Sequence, residues 1–201
     1  MGYGILLTTG RALLGYVLGV MLAYIAHFLC VAADLDEQLD TQFTGARAVP
    51  IISVLPLFII WFGFSEIGRL LVVVLATTAF FVAPVHEAYR LLPRQWRMLQ
   101  KQLALSTLRY YANVAVPGGF ASLAAAFRIA LAVAFTMAIA SEYIGAQVGI
   151  GKFLDSARIT FNVPAIVLTI ILCSIIGILL DRAVVSAYRR VAYWAGKQPK
   201  L

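Results

Sequence analysis

Long apolar blocks, separated by shorter polar stretches, dominate this chain. Five apolar segments are visible, at residues 5–33, 49–64, 67–88, 118–141 and 164–188. About 20 apolar residues in a helix span the hydrocarbon core of a bilayer, and a helix satisfies its own backbone hydrogen bonds in lipid. The pattern therefore predicts an all-α integral membrane protein with about five transmembrane helices. The second segment is short and carries Pro50 and Pro56, so we expect it to be broken or tilted.

Composition excludes several other classes of protein. The chain is 62% hydrophobic and 12% charged, with a mean hydropathy of +0.91, which rules out a disordered or fibrous chain and is unlike a soluble domain. The net charge of +7 comes from cations beside apolar blocks, which indicates a membrane topology signal and not a nucleic-acid partner. Cys30 and Cys173 lie inside apolar runs with no metal-ligand or disulfide spacing.

The distribution of lysine and arginine predicts the orientation. Residues 90–109 and residues 182–200 each hold five of these cations, and both stretches should be cytoplasmic, including the C-terminus. Counting back, residues 34–48 should also be cytoplasmic and Met1 outside. The acids of that stretch carry little topological weight; they are Asp34, Asp36, Glu37 and Asp40. An outside start without a signal peptide predicts that a further helix precedes it.

The basic stretch after the third segment predicts a short amphipathic helix. Pro93 suits a first helical turn, and an apolar stripe at spacings of 4, 3 and 4 follows from Leu92, through Trp96, Leu99 and Leu103. Residues 116–119, Val-Pro-Gly-Gly, should end this helix and start the next span. Two interpretations stay open: a helix lying on anionic lipid headgroups, or a docking surface for a soluble partner.

The same stretch resembles the EAA loop of bacterial binding-protein-dependent ABC importer permeases. In that family Glu-Ala-Ala, a glycine and an Ile-x-Leu-Pro end build a cytoplasmic coupling helix. Residues 114–117, Val-Ala-Val-Pro, match the end, and Ala104-Leu105-Ser106 falls where the family has Gly-Ala-Ser or Gly-Leu-Ser. Met98, Leu99 and Gln100 occupy the Glu-Ala-Ala positions, so the glutamate and the glycine are both absent.

Further motifs extend the resemblance, in order, over nearly the whole chain. Residues 47–50, 55–56 and 61–63 resemble the Arg-x-Ile-Pro, Leu-Pro and Trp-Phe-Gly motifs of the taurine, aliphatic sulfonate and nitrate branch. Residues 127–131, 141–146 and 149–151 resemble its Leu-Arg-x-Ala-Leu, Ala-Glu-x-Ile-Gly-Ala and Gly-Leu-Gly stretches. The usual first helix of the branch has no counterpart, which agrees with the topology.

The resemblance implies a type I ABC importer permease, with residues 1–201 as one permease domain and a coupling loop at about 91–117. It implies a bacterial plasma membrane location and no enzymatic activity in this chain, because a separate ATPase subunit would bind the ATP. The other implied partners are an extracytoplasmic solute-binding protein and a second permease copy. The solute would be small, such as a sulfonate, nitrate or vitamin precursor. The implied coupling residues are Met98, Leu99, Gln100, Ala104, Ser106, Val114 and Pro117.

Two ionisable residues of the fourth segment are candidates for the translocation path. Arg128 lies near its middle, where an arginine should face protein or water, and Glu142 closes it. The alternative for each is structural: Arg128 held by backbone carbonyls, and Glu142 capping the next turn. Gly145, Gly149 and Gly151 predict an outer turn or re-entrant stretch, since no phosphate-loop context surrounds them.

Other small features predict structural roles. Gly15 and Gly19 share a helical face and should allow close packing. His27 and His86 are solitary in sequence and carry no metal-ligand spacing. The alternatives to an importer subunit are a self-sufficient secondary transporter or channel, for which Arg11, Arg128 and Glu142 would have to form a relay, a degenerate permease copy, or a membrane enzyme, for which no catalytic cluster is visible.

Overall fold

The computed structural model describes residues 2–33, 35, 53, 55–63 and 65–192, and within these ranges every regular element is helical. Four helices are long and apolar enough to cross a membrane: α1 (Gly2–Ala32), α3 (Glu66–Arg90), the long helix Thr107–Tyr143 and α9 (Val163–Val191). They coincide with the first, third, fourth and fifth predicted segments. The prediction of an all-α membrane protein is confirmed.

The second predicted segment is only partly described. Its described part is the helix α2, Leu55–Phe62, which rises about 12 Å and is too short to cross a bilayer by itself. Residues 49–52, 54 and 64 lie outside the described residues, as do the 47–50 motif and the acids of the stretch 34–48.

Helices α1 and α3 pack closely and run parallel. Gly15 and Gly19 are buried against Val73 and Thr77, at a constant sequence offset, and Thr78 Oγ1 donates to the Gly19 carbonyl at 3.1 Å. The predicted close packing at these two glycines is confirmed.

The long helix runs antiparallel to α1 and α3 and completes the core. Phe81 of α3 packs on Phe127, with ring centroids 4.8 Å apart, and the buried contacts beyond them are mostly small or aliphatic: Ala12, Val73, Ala76, Leu131, Ala134 and Ala138. Helix α9 lies outside this trio. We call the end that holds Arg90, Arg109 and Arg190 the basic end, and the other end, at Tyr143 and Val163, the opposite end.

The long helix is irregular near the basic end. It consists of α5 (Thr107–Tyr110), a π-helical turn (Tyr111–Ala115), α6 (Val116–Phe120), a 3₁₀ turn (Ala121–Leu123) and α7 (Ala124–Tyr143). The amphipathic helix α4 (Arg94–Gln102) was predicted from the stripe and is confirmed. The prediction that residues 116–119 end it is wrong, because the π-helical turn accommodates Pro117 inside a continuous helix.

Candidate functional site

The predicted coupling loop, about residues 91–117, begins at the basic end with a short helix and a turn, residues 91–106, and continues into the long helix from Thr107; residues 91–106 are called the coupling loop below. The Trp96 ring packs directly over Gly118, beside Leu92, so that a Cβ at position 118 would collide with it. This contact joins α4 to the start of the long helix. The loop and the short helix α5 after it expose five large apolar side chains, of which Met98 (61%), Leu103 (59%) and Leu108 (61%) follow the Trp96 contact; the other two are Leu91 (70%) and Trp96 itself (37%).

Helix α4 ends in a Schellman motif. The Leu105 N–H donates to the Gln100 carbonyl at 3.0 Å, and Ala104 between them has φ +46°. Glycine usually occupies this left-handed position, because it has no Cβ to strain. Ser106 then caps α5, its Oγ accepting from the Arg109 N–H at 3.4 Å. The missing glycine of the motif therefore coincides with a strained alanine in a turn that keeps the glycine-type geometry.

Replacing Ala104 by glycine is expected to stabilise the protein by about 0.5–1 kcal/mol, since it removes the left-handed strain. The check is the thermal midpoint in detergent. Ala187→Gly, at an exposed position of α9, is the matched control and should cost about 1 kcal/mol. Equal destabilisation by both substitutions would contradict the strained turn.

The predicted coupling residues divide into two groups. Met98, Ala104 and Ser106 are exposed in the loop and Gln100 is half-buried, whereas the Leu99 side chain lies outside what the structure describes. Val114 and Pro117 are half-buried further along, in the π-helical turn and α6. Only the first group belongs to the exposed surface.

A buried hydrogen-bonded cluster lies behind the loop. His27 is fully buried, with Nδ1 2.8 Å from the Tyr111 hydroxyl and Nε2 3.2 Å from His86 Nδ1. The Tyr111 hydroxyl also donates to the Tyr24 carbonyl at 3.3 Å. The two histidines are solitary only in sequence, and in the fold they tie α1, α3 and the π-helical turn together.

A second polar cluster occupies the opposite end. Arg11 is ion-paired with Glu142 and with Glu66, and Glu66 is also paired with Arg69. Glu142 is completely buried. Thr8 Oγ1 donates to its Oε2 at 2.8 Å, so four helices or their ends meet at one carboxylate and its partners.

The glycine-rich stretch after α7 wraps around this carboxylate. Gly145 (φ +133°) and Gly149 (φ +145°) turn the chain back, and a Cβ at position 149 would strike the Glu142 carboxylate. The Gly151 N–H then donates to Glu142 Oε2 at 3.0 Å, in the first turn of α8 (Ile150–Ile159). The carboxylate therefore caps the N-terminus of α8, where a negative charge is favoured. The predicted turn is present; α8 was not predicted.

A cavity of about 250 Å³ opens beside this turn. Its lining includes Gly4, Gln147, Lys152, Phe153 and Thr169. Nearby on α8, a hydrogen bond from Arg158 holds the pKa of Asp155 below its ordinary value.

Arg128 lies on α7 with a partner that the sequence did not reveal. Its Nε and Nη2 donate to the two carboxylate oxygens of Asp181, on α9, at 2.7 and 2.9 Å. Both side chains are partly exposed, at 40% and 35%. Arg128 is therefore held by a carboxylate and not by backbone carbonyls, and it does not meet Glu142.

Several functional candidates escaped the sequence analysis: Thr8, Glu66, Arg69 and Asp181. One usable signal existed, since an acid inside an apolar segment, as at Asp181, predicts a buried basic partner. Thr8 carries no such signal. Among the described residues no group of three or more His, Cys, Asp or Glu could hold a metal ion.

A bundle with four helices long and apolar enough to cross a membrane defines the class as a multi-pass membrane protein. The sequence profile of the binding-protein-dependent transport system inner membrane component family matches residues 12–193. The chain belongs to this family, whose members are permease subunits and not enzymes.

Individual relatives agree with this assignment. A protein of Brucella melitensis named as an ABC transporter permease is 29% identical over 188 residues, covering 92% of this chain and 75% of the relative. An aliphatic sulfonate transport permease of Escherichia coli is 29% identical over 176 residues, covering 87% and 67%. A chain of the MetNI methionine ABC transporter, solved facing inward, superposes with a TM-score of 0.77 at 16% identity over 95% of both chains. The permease fold and the resemblance to the sulfonate branch are thereby confirmed.

Proposed function

We propose that this chain forms, with a second permease copy, the membrane pathway of an ATP-driven importer, and that the coupling loop is where an ATPase subunit docks. The observation that carries the docking proposal is the exposed apolar trio Met98, Leu103 and Leu108 at the basic end. Large apolar side chains grouped at a water-facing surface usually mark an interaction site.

The basic end is the cytoplasmic end in this proposal. The described cations there are Arg90, Arg109, Arg182, Arg189 and Arg190, and cytoplasmic flanks carry such an excess. In the sequence, helix α4 adds Arg94, Arg97 and Lys101, whose side chains lie outside what the structure describes. The C-terminus would then be cytoplasmic too; Lys197 and Lys200 lie outside the described residues. The opposite end, with its cavity and glycine turn, would face the solute-binding protein.

The division of labour follows from this orientation. The ATPase subunit would bind the ATP, and this chain would need no cofactor of its own. Closure of two ATPase subunits would draw the coupling loops together, and the close contact of Trp96 with Gly118 would pass that movement into the long helix. The π-helical turn at 111–115 is the irregular element between loop and span, and such turns are frequent at functional sites.

The solute would be a small molecule of the kind handled by the sulfonate branch, because an aliphatic sulfonate permease is among the relatives. Sulfonate, nitrate and vitamin precursors are the candidates that the resemblance implies. Arg128 is half-exposed within the span and suits a path residue in this conformation. Glu142 is enclosed, so it would contact solute only if the opposite end opened.

Replacing Ser106 or Met98 by glutamate is expected to reduce co-purification of the ATPase subunit at least tenfold, because a charge would enter the exposed docking surface. The measurement is quantitative mass spectrometry of detergent-solubilised complexes pulled down through this chain. Ser186→Glu, at an exposed position near the basic end of α9, is the control. Met98 makes no cap hydrogen bond, so M98E separates docking from any local unfolding caused by S106E.

The outcomes distinguish a docking surface for the ATPase subunit from the other interpretations of the loop. Unchanged ATPase recovery with both loop variants would remove the docking assignment. A wild-type chain that purifies folded and without any ATPase would instead indicate a degenerate copy, and would contradict the importer proposal itself.

A further inference from the structure

The cavity at the opposite end has the composition of a small binding site. Its lining comes from the start of α1, the glycine turn after α7, helix α8 and helix α9, and its volume is about 250 Å³. Small-molecule sites are mostly apolar cavities with a few placed polar groups. At about 30 Å³ for each water-sized group, the cavity has room for about eight non-hydrogen atoms.

Apolar side chains form one part of the wall. They come from each of the four elements, and they are Ile5, Val148, Phe153 and Leu172. Phe153 and Leu172 are both half-buried, so part of their surface is open to the cavity. A ligand with an apolar body would remove that surface from water and gain free energy.

The other part of the wall carries a positive charge. Lys152 is the one charged side chain among the lining residues that the structure describes. Its Nζ is 3.6 Å from Asp155 Oδ2, whereas Arg158 donates to Asp155 Oδ1 at 2.9 Å. Two cations thus share one carboxylate, and the Lys152 contact is longer than a hydrogen bond. The ammonium group therefore keeps donors for a ligand.

The remaining polar groups place the head of such a ligand. Thr169 and Ser156 already donate their hydroxyl hydrogens, to the Ala165 carbonyl at 2.7 Å and the Lys152 carbonyl at 3.0 Å. Gln147, in contrast, has an amide with two N–H donors and lies in the turn at the cavity. An anionic head would therefore lie on the side of Lys152 and Gln147.

We propose that this cavity binds a small organic monoanion, with a sulfonate or carboxylate head at Lys152 and an apolar body of about four carbons against Phe153 and Leu172. A sulfonate head uses about four of the eight atom positions, which leaves about four for carbon. The proposal rests on the proposed function in one respect: the anion would be the transported solute, held first at the end that faces the solute-binding protein. An anionic lipid headgroup offers similar chemistry, and the experiment separates the two sources.

The test is a chain-length series on the full chain, purified in detergent with any ATPase subunit that accompanies it. The probes are the sodium salts of methanesulfonate, butanesulfonate and hexanesulfonate at matched ionic strength. The apparent Kd follows from the rise of the thermal midpoint with concentration. Each buried methylene should tighten binding about three- to fourfold, so butanesulfonate should bind about 30- to 60-fold more tightly than methanesulfonate. Hexanesulfonate should gain less than about twofold more, because the cavity is full, and butylammonium should not bind.

Variants of α8 test the role of the charge. Lys152→Met should weaken butanesulfonate binding at least tenfold, because it removes a charge-assisted hydrogen bond, and Lys152→Arg should retain most of it. Asp155→Asn should tighten binding, since the compensating carboxylate is lost; a purely structural role of Lys152 would not predict this gain. Arg189→Gln removes an exposed cation at the basic end and is the control that should change nothing. Each Kd is measured within one variant, so a change in basal stability does not affect the comparison.

Phosphatidylglycerol in mixed micelles distinguishes a lipid from a free solute. If the cavity serves a solute, the lipid should leave the apparent Kd of butanesulfonate unchanged. Competitive displacement by the lipid, with no optimum of chain length among the sulfonates, would assign the cavity to a lipid headgroup and overturn the proposal.

The remaining outcomes separate this site from the proposed function. Equal butanesulfonate affinity in the wild type and Lys152→Met, or equal affinity for butylammonium, overturns the site. If the ATPase subunit is present in that preparation, the importer function stands. Sulfonate binding by a chain that purifies without any ATPase keeps the site and overturns the importer function instead.

Discussion

Replacing Glu142 by alanine is expected to lower stability by about 3–5 kcal/mol, since it removes one partner of a buried ion pair and leaves the other uncompensated. Arg11 would keep only Glu66, which is itself largely exposed. The Thr8 hydroxyl and the Gly151 N–H would lose their acceptor. For a chain of this length the loss corresponds to a fall of roughly 10 °C in the thermal midpoint.

Samples of the detergent-solubilised protein are heated to a series of temperatures and then analysed by size-exclusion chromatography. The measurement is the temperature at which half of the monodisperse peak is lost. Glu87→Ala removes an exposed acid of α3 and should change the midpoint little. Glu142→Gln retains an acceptor for Thr8 and Gly151, so its loss should be intermediate. A thermal midpoint for E142A that equals that of E87A would show that the Glu142 carboxylate does not stabilise the packing at the opposite end.

Replacing Gly19 by leucine is expected to have an effect of comparable size, by pushing α1 away from α3. Even a Cβ at this position would lie 2.8 Å from the Val74 carbonyl oxygen and 2.9 Å from Thr77 Cγ2. Overpacking by a few atoms costs about 1–3 kcal/mol, and leucine adds three more carbons beyond the Cβ. The packing of two parallel helices along their whole length would be lost.

Gly10 and Gly177 provide control positions, at which leucine is not expected to lower stability. A Cβ at either position meets nothing within 4 Å. Leucine there should be neutral or stabilising by up to about 1 kcal/mol, because glycine is a poor helix former. The yield of folded protein in membranes and its thermal midpoint should therefore fall only for G19L. A similar fall for G10L would mean that hydrophobic volume itself, and not the α1–α3 contact, is limiting.

The two polar clusters suggest how the bundle combines rigidity with movement. At the opposite end, α1, α3, the end of α7 and the start of α8 are joined by charge pairs around Glu142. At the basic end, the helices are joined by hydrogen bonds around His27 and the irregular turn 111–115. The less regular end is the one where an ATPase would act.

The fourth helix shows what sequence patterns missed and why. Hydropathy located its apolar part, residues 118–141, but the helix begins at Thr107, because backbone hydrogen bonding continued through Pro117 by way of a π-helical turn. Helix α8 was missed since it is short and not strongly apolar. The Schellman turn at Ala104 was anticipated only through a resemblance to a glycine position, as alanine itself gives no turn signal.

The amino-acid sequence by itself determined the multi-pass membrane class, the approximate places of the four long helices, the amphipathic helix α4 and the close contact at Gly15 and Gly19. These follow from local periodicity, segment length and residue size. Only the tertiary structure decided that Arg128 pairs with Asp181, that Glu142 is enclosed with Arg11, and that His27 bonds to His86. Each of these pairs joins residues more than 50 positions apart, and their meeting depends on how parallel and antiparallel helices pack, which no local pattern encodes.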